Sequence, residues 1–197
     1  MRVITTERDY GSVESDAERI LDRTKVLPEN VFKKAFKFFL FITFDELFMP
    51  MFFNHLKRYL LEVGENSFCL TAIDPDPKNY FGSNFDFFGA IEFSSVDTDE
   101  DYLAALNNYP EGSPADALAH NTNSLMFFSY QYGWAVYGNR DADIAICAFA
   151  DIEQMELFKS IYCSDLLGGV SAAADYAYGV TGNSVLRAKL CSSYSVD

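Results

Sequence analysis

From Ser124 to Asp151 the chain alternates blocks of large apolar residues with turn formers, and three strands in succession are the pattern this predicts. The first runs from Ser124 to Gln131 and is broken at Gly133; the second is Trp134-Ala135-Val136-Tyr137. Gly138, Asn139, Arg140 and Asp141 read as the next turn, since Gly and Asn take positive φ at little cost. In the third, Asp143 to Phe149, Ile144 and Ile146 point one way and Ala145, Cys147 and Phe149 the other. Both faces are apolar, so this strand belongs inside a sheet covered on both sides.

The remaining chain reads mostly as helices around further strands. Arg2 to Thr6 suits a short strand, and Val13 to Val26 an amphipathic helix with Ala17, Ile20 and Leu21 on its stripe. Pro28 opens a helical spacing through Val31, Phe32, Ala35, Phe36 and Phe39, followed by an extended piece. Phe48, Phe52, Leu56, Tyr59, Leu60 and Val63 predict a helix over 47–63, stopped at Gly64. Ser67 to Ile73 is a strand ended by Asp74-Pro75-Asp76-Pro77, and Phe85 to Ser94 another with a bulge at Gly89. Asp97 with Glu100 forms a capping box for a short helix, and Ser113-Pro114 starts one that ends near His120. Asp151 with Gln154 caps a helix carrying Met155, Phe158, Ile161 and Tyr162. Gly168-Gly169 breaks it before a small-residue helix that stops at Gly179, and Ser184 to Cys191 alternates as a strand would. The expected fold class is α+β, a mainly antiparallel sheet with the meander at 124–150 and helices packed on it. One domain spans 1–197, with 1–40 as a peripheral helical segment and 180–197 as a poorly defined tail.

Composition supports a core: 49% of residues are hydrophobic and 16% aromatic, with 19 Phe and 12 Tyr. Cysteines 69, 147, 163 and 191 are widely spaced with no CxxC pair, which fits free thiols in a reducing cytoplasm. The start MRVITTERDY has no hydrophobic signal region. The longest apolar run, Phe38 to Ile42, falls far short of the roughly 20 residues of a membrane span. A cytoplasmic protein without membrane contact is the expectation.

Charge narrows the partners. Fifteen basic against 29 acidic residues leave a net charge of −14. Residues 1–78 hold 11 bases and 13 acids, residues 79–197 only 4 bases and 16 acids. Such a field repels nucleic acid and anionic membrane and attracts basic proteins. Simple solubility explains the same excess.

Catalytic patterns do not emerge. A Ser or Cys nucleophile needs a base, and His55 and His120 are both placed by helix logic. GxSxG, P-loop, GxGxxG and HExxH are absent, and Cys and His do not cluster as zinc ligands. Asp74 and Asp76 lack the further ligands of a calcium loop. No catalytic residue, metal or cofactor is therefore expected. Trp134 reads as a core plug with a satisfied indole N–H. Arg140 and Asp141 read as a hairpin clasp, Asp141 bonding turn amides and Arg140 a carboxylate, or else as a charged pair offered to a ligand.

The order DELF-x-P, DPDP, YF, DYL-x-x-L, SPADAL and W-A-V-Y-G-x-R-D-x-D-I-A, over about residues 45–150, resembles a group of small acidic bacterial proteins that includes candidate immunity partners of polymorphic toxins. The resemblance implies an inhibitor that binds and occludes a basic toxin, with a nuclease as the expected class. It transfers no site residues. From the charge, the expected contact surface comprises Asp97, Asp99, Glu100, Asp101, Glu111 and Asp116, with Tyr130, Tyr132 and Tyr137 as anchors and Arg140 and Asp141 beside them. The alternative is a small-molecule binder or hydrolase with a pocket near the Arg140 turn.

Overall fold

The computed structural model describes residues 1–33, 36–109, 113–162 and 166–195. Seven strands make one open sheet: β1 (Arg2–Val3), β2 (Phe38–Thr43), β3 (Ser67–Asp74), β4 (Ala90–Ser94), β5 (Ser124–Phe128), β6 (Trp134–Asn139) and β7 (Ile144–Phe149). Their order is β1-β4-β3-β5-β6-β7-β2, and every neighbouring pair is antiparallel. With helices packed on this sheet the fold is α+β, as the sequence pattern predicts.

The meander sits near the middle, and every residue of β5, β6 and β7 is buried. On one face α2 (Pro50–Glu62), α3 (Asp99–Leu106), α4 (Leu118–Asn121) and α5 (Ile152–Tyr162) enclose a core containing Trp134, Ala145, Cys147 and Phe149. On the other, α1 (Glu7–Ile20), α6 (Val170–Tyr178) and α7 (Ser184–Tyr194) cover Tyr137, Ile144, Ile146 and Ala148. The period-2 split of β7 therefore feeds two cores. Aromatic pairs fill both: Phe53 stacks on Tyr102 with centroids 4.5 Å apart, and Tyr10 on Phe88 at 5.1 Å. The Trp134 indole N–H donates to Glu65 Oε2 at 3.3 Å, so the core plug is satisfied.

Several boundaries differ from expectation. Helix α1 starts at Glu7 rather than Val13, because the Thr6 hydroxyl accepts from Asp9 N–H and caps it there. It ends at Ile20, after which the backbone turns into an irregular segment held by Asp22 N–H to Val31 O and Lys33 N–H to Ile20 O. The expected helix from Pro28 is absent from the described part of that stretch, while Lys34 and Ala35 lie outside the described residues. Residues 45–48 form a 3-10 turn, and α2 begins afterwards with Pro50 in its first turn. Asp76 caps a π-helical turn over Pro77–Gly82. Strand β4 is shorter than its apolar run; Gly89, at φ +58°, and the bond from Phe88 N–H to Ile4 O divert residues 85–88 from the ladder. Residues 184–191 are helical, not extended: Asn183 caps α7, and Leu190 and Tyr194 are buried one turn apart. Gly138 and Asn139 belong to β6, so the turn before β7 falls two positions later, at residues 140–143, with Asp143 at φ 53°.

Candidate functional site

The acidic start of α3 is shaped by capping. Thr98, not Asp97, is the N-cap: its hydroxyl accepts from Asp101 N–H at 3.1 Å while Asp101 Oδ2 accepts from Thr98 N–H at 2.9 Å. Sequence alone offers two overlapping frames, Asp97 to Glu100 and Thr98 to Asp101, and the second is used. Asp97 is thereby free to turn inward and is buried. Its carboxylate accepts from the Met1 ammonium at 2.5 Å and from Ser94 N–H at 2.7 Å. Burial pushes that carboxyl up, but these donors outweigh it and hold it below the usual range.

The other predicted acids are also partly engaged. Asp99 accepts from the Asn54 amide at 2.8 Å and lies 4.0 Å from Lys57 Nζ. Asp116 accepts from the Ser113 and Tyr80 hydroxyls, which lower its pKa in that order. Glu100 is exposed and has no hydrogen-bond or ion-pair partner among the described residues. Glu111 lies outside the described residues. Bases of residues 1–78 reach some acids of the later segments in space: Arg2 bonds Glu92 at 2.6 Å, and Lys57 Nζ lies 4.0 Å from Asp99.

The tyrosines do not join these acids. Tyr137 is only 2% exposed and lies beneath α6 and α7, so it cannot serve as a surface anchor. Tyr130 donates to Glu92 at 2.5 Å, and Tyr132 donates to Asp16 while accepting from Arg19, each at 2.7 Å. Both pack on the α1 face, across the sheet from α3.

What accompanies α3 instead is an open groove of about 580 Å³ at the β1 edge. Phe85, Phe87 and Tyr109 give it aromatic walls, Asp86 a charge, and Val3 and Thr5 its backbone border. Ile4 spends its N–H on Ala90 O and its carbonyl on Phe88 N–H. Alternation along the strand then turns the N–H and C=O groups of Val3 and Thr5 outward. Helix α3, whose chain continues into the groove at Asn108 and Tyr109, exposes Glu100 and Leu103, and Tyr109 is 51% exposed. Tyr109 and Leu103 carry no sequence signal that separates them from core residues; only their orientation does.

The Arg140 turn is a clasp, but with different partners from those expected. Arg140 donates from Nε to Thr122 O at 3.0 Å and from Nη2 to Ala119 O at 2.8 Å. Its guanidinium lies 4.8 Å from the Phe44 ring centroid. Carbonyls, not a carboxylate, take its protons, because α4 ends just where those oxygens lack partners. Asp141 bonds no turn amide among the described residues. Its Oδ2 accepts from Asn123 Nδ2 at 3.1 Å, and Asp74 Oδ2 accepts from the same nitrogen at 3.0 Å.

These two carboxylates stand exposed at a cavity of about 540 Å³ at this end of the sheet. The ladder explains its polar floor: Asp74, Ser124 and Asn139 are cross-strand partners on β3, β5 and β6. Asn139 Nδ2 donates to Ser124 Oγ at 2.9 Å, and the Tyr137 hydroxyl lies 3.2 Å from the same oxygen. Val26, Leu27, Ile73, Tyr178 and Leu186 supply apolar walls. Arg23 and Lys25 complete the lining. Arg23 is paired with Glu14 at 3.3 Å and Asp76 at 4.0 Å, and Lys25 with Asp22 at 3.8 Å. Asp74 and Asp141 form no ion pair among the described residues.

Among the described residues no helix is long and apolar enough to cross a membrane. Compared with family models, curated proteins and solved structures, the chain matches none.

Proposed function

We propose that this chain is an immunity-type inhibitor that binds and occludes a basic toxin, a nuclease being the expected class, through the groove beside α3. The observation that carries the reading is the exposed Tyr109 at an aromatic-lined groove beside Asp86, an exposed acid with no ion pair among the described residues. Phe85, Phe87 and Tyr109 line the groove with Asp86, and Glu100 and Leu103 lie on the adjoining helix. Large amphipathic side chains anchor protein interfaces, while surrounding charge speeds encounter and selects partners of opposite sign. The outward backbone of Val3 and Thr5 adds a short strand edge that an extended segment can extend. The net charge of −14 favours a cationic partner at long range. The resemblance over residues 45–150 supplies the toxin.

The test is capture with this chain as bait at low and high salt, followed by an activity assay of the recovered protein with and without the chain. A basic partner whose activity is blocked is expected, with association slowed by salt. Tyr109→Ala combined with Leu103→Asp should weaken the complex by about 2 kcal/mol or more. Recovery of no basic partner at either ionic strength, or undiminished binding by the double variant, overturns the proposal.

A further inference from the structure

The two edges of the sheet are not alike. At β2 the chain occupies its own edge. Phe44 N–H bonds Asp143 O, so alternation turns the backbone of Phe41 away from β7, and Leu167 N–H takes the Phe41 carbonyl at 2.8 Å. At β1 no described residue does the same. Ile4 spends its N–H and carbonyl inward, on Ala90 O and Phe88 N–H, and the N–H and C=O of Thr5 bond no group among the described residues. We infer that the partner docks at this edge through an extended segment, which adds an eighth strand beside β1 and carries a Lys or Arg for Asp86. The inference rests on the inhibitor reading for the partner's basic character, and it names the part of that partner the groove receives.

Three observations converge on that occupant. The first is the backbone. An edge strand with outward N–H and C=O groups is a template for a further strand. Val3 and Thr5 present both kinds of group two residues apart, the repeat at which a neighbouring strand bonds. The second is the alternation of side chains. Val3 packs against the core on the α3 side and Ile4 lies in the core on the α1 side, so Thr5 returns to the α3 side and lines the groove with Val3. Every second residue of an added strand then projects toward the groove walls of Phe85, Phe87 and Tyr109. Tyr109, half exposed there, is an amphipathic ring of the kind that anchors interfaces. The third is charge. Asp86 is exposed and forms no hydrogen bond or ion pair among the described residues, while Arg2, the base on β1 itself, is engaged by Glu92 at 2.6 Å. A cationic side chain on the added strand meets an unpaired carboxylate, and an anionic one meets like charge.

The experiment is an NMR titration of the isotope-labelled full chain with the end-capped peptide Lys-Val-Trp-Val-Lys. Its lysines flank the tryptophan, so one lies toward Asp86 whichever way the strand runs. Saturable one-to-one binding is expected, with Kd below about 1 mM and the largest shifts at the Val3 and Thr5 amides. The peptide Glu-Val-Trp-Val-Glu should bind about tenfold more weakly, as should the lysine peptide N-methylated at its Val and Trp nitrogens. D86N should weaken binding about threefold, and E153Q on α5 should leave it unchanged. T5P deletes an outward N–H where an edge tolerates proline and should weaken binding about fivefold or more, whereas T5A keeps the N–H and binds as the parent does. Each variant is first shown by its thermal melt to be folded; if T5P is not, the N-methylated peptide carries the backbone test. Absence of saturable binding overturns the inference. So does equal affinity of the glutamate peptide, of the N-methylated peptide, or of folded T5P or D86N, a loss in E153Q as large as in D86N, or shifts centred away from β1. A basic partner captured by folded T5P as tightly as by the parent removes the added strand and leaves the inhibitor reading standing. Peptide binding at β1 with no basic partner captured does the reverse.

Discussion

Replacing Tyr194 by Phe tests the docking of the C-terminal helix with a single oxygen atom. Tyr194 sits in the last turn of α7 and is 2% exposed. Its ring meets Phe39 edge-on with centroids 5.1 Å apart and Phe41 at 6.2 Å. Its hydroxyl accepts from Val31 N–H at 3.1 Å and donates to Glu29 O at 2.9 Å, pinning the irregular segment after α1. Tyr194→Phe keeps the ring contacts and deletes both bonds. Val31 is fully buried, so its N–H is left without a partner and cannot regain water. A buried orphaned donor costs about 1–3 kcal/mol, and the second bond adds little because a carbonyl tolerates loss better than an N–H. The expected loss is about 2 kcal/mol, or a fall in Tm of roughly 4–8 °C for a chain of this size. Urea unfolding measures it as a lower midpoint at unchanged slope. Tyr176→Phe is the control: that hydroxyl bonds Asp143 from an exposed position and should cost within about 0.5 kcal/mol. Tyr194→Ala also removes the ring and should cost about 3–5 kcal/mol. A Tyr194→Phe variant within 0.5 kcal/mol of the parent, by roughly the error of such surface changes, would refute the argument that this hydroxyl locks the segment.

Three further outcomes follow from packing and ionisation. Gly138→Ala would place a Cβ 2.4 Å from Leu47 Cδ1 and about 3.0 Å from the Phe44 ring, and the overpacking should cost about 1–3 kcal/mol in a thermal or urea melt. Burial raises the tyrosine pKa values of Tyr10, to about 12, and of Tyr59, Tyr102, Tyr137 and Tyr194. A raised folded value stabilises the protein below the unfolded pKa of roughly 10 and loses that stability as pH climbs toward the folded value. Stability is therefore expected to fall from about pH 10 upward, by about 1.4 kcal/mol per pH unit for each such tyrosine, and a flat melt-versus-pH curve there would count against it. Burial likewise raises the thiols of Cys69 and Cys147, so peptide mapping after brief alkylation should find both protected in the native state, with Cys191 modified first of these three.

The meander was legible because two periodicities agreed over 124–149: apolar letters on both strand faces and turn formers between them. Helix α2 was legible for the same reason, its stripe from Phe52 to Leu60 being long and regular. Short elements were harder. Val31, Phe32 and Phe36 have helical spacing, yet each is drawn into the α1 side core by a segment that bonds to Ile20 and Tyr194 rather than to itself. Residues 184–191 alternate over a few letters, but Leu186, Leu190 and Tyr194 recur every fourth residue, and burial of the last two decided for helix. The contact surface was less legible than the fold. Counting acids along the chain missed that Met1, Arg2 and Lys57 reach the acids of the later segments across the β1 edge and the α2–α3 contact. The cavity joins Asp74, Asn123 and Asp141, which are scattered in sequence and meet only because β3, β5 and β6 are neighbours.

A sheet buried on both sides also decides where this protein is able to vary. Substitutions within β5, β6 or β7 disturb buried hydrophobic layers, whereas exposed positions in the loops at their ends and on the rim around β1 do not. Descendants of such a chain would be expected to diverge in what they recognise at those margins while keeping the same interior. Homologous sequences should show drift at Tyr109 and Asp141 long before it reaches Phe127 or Ile146.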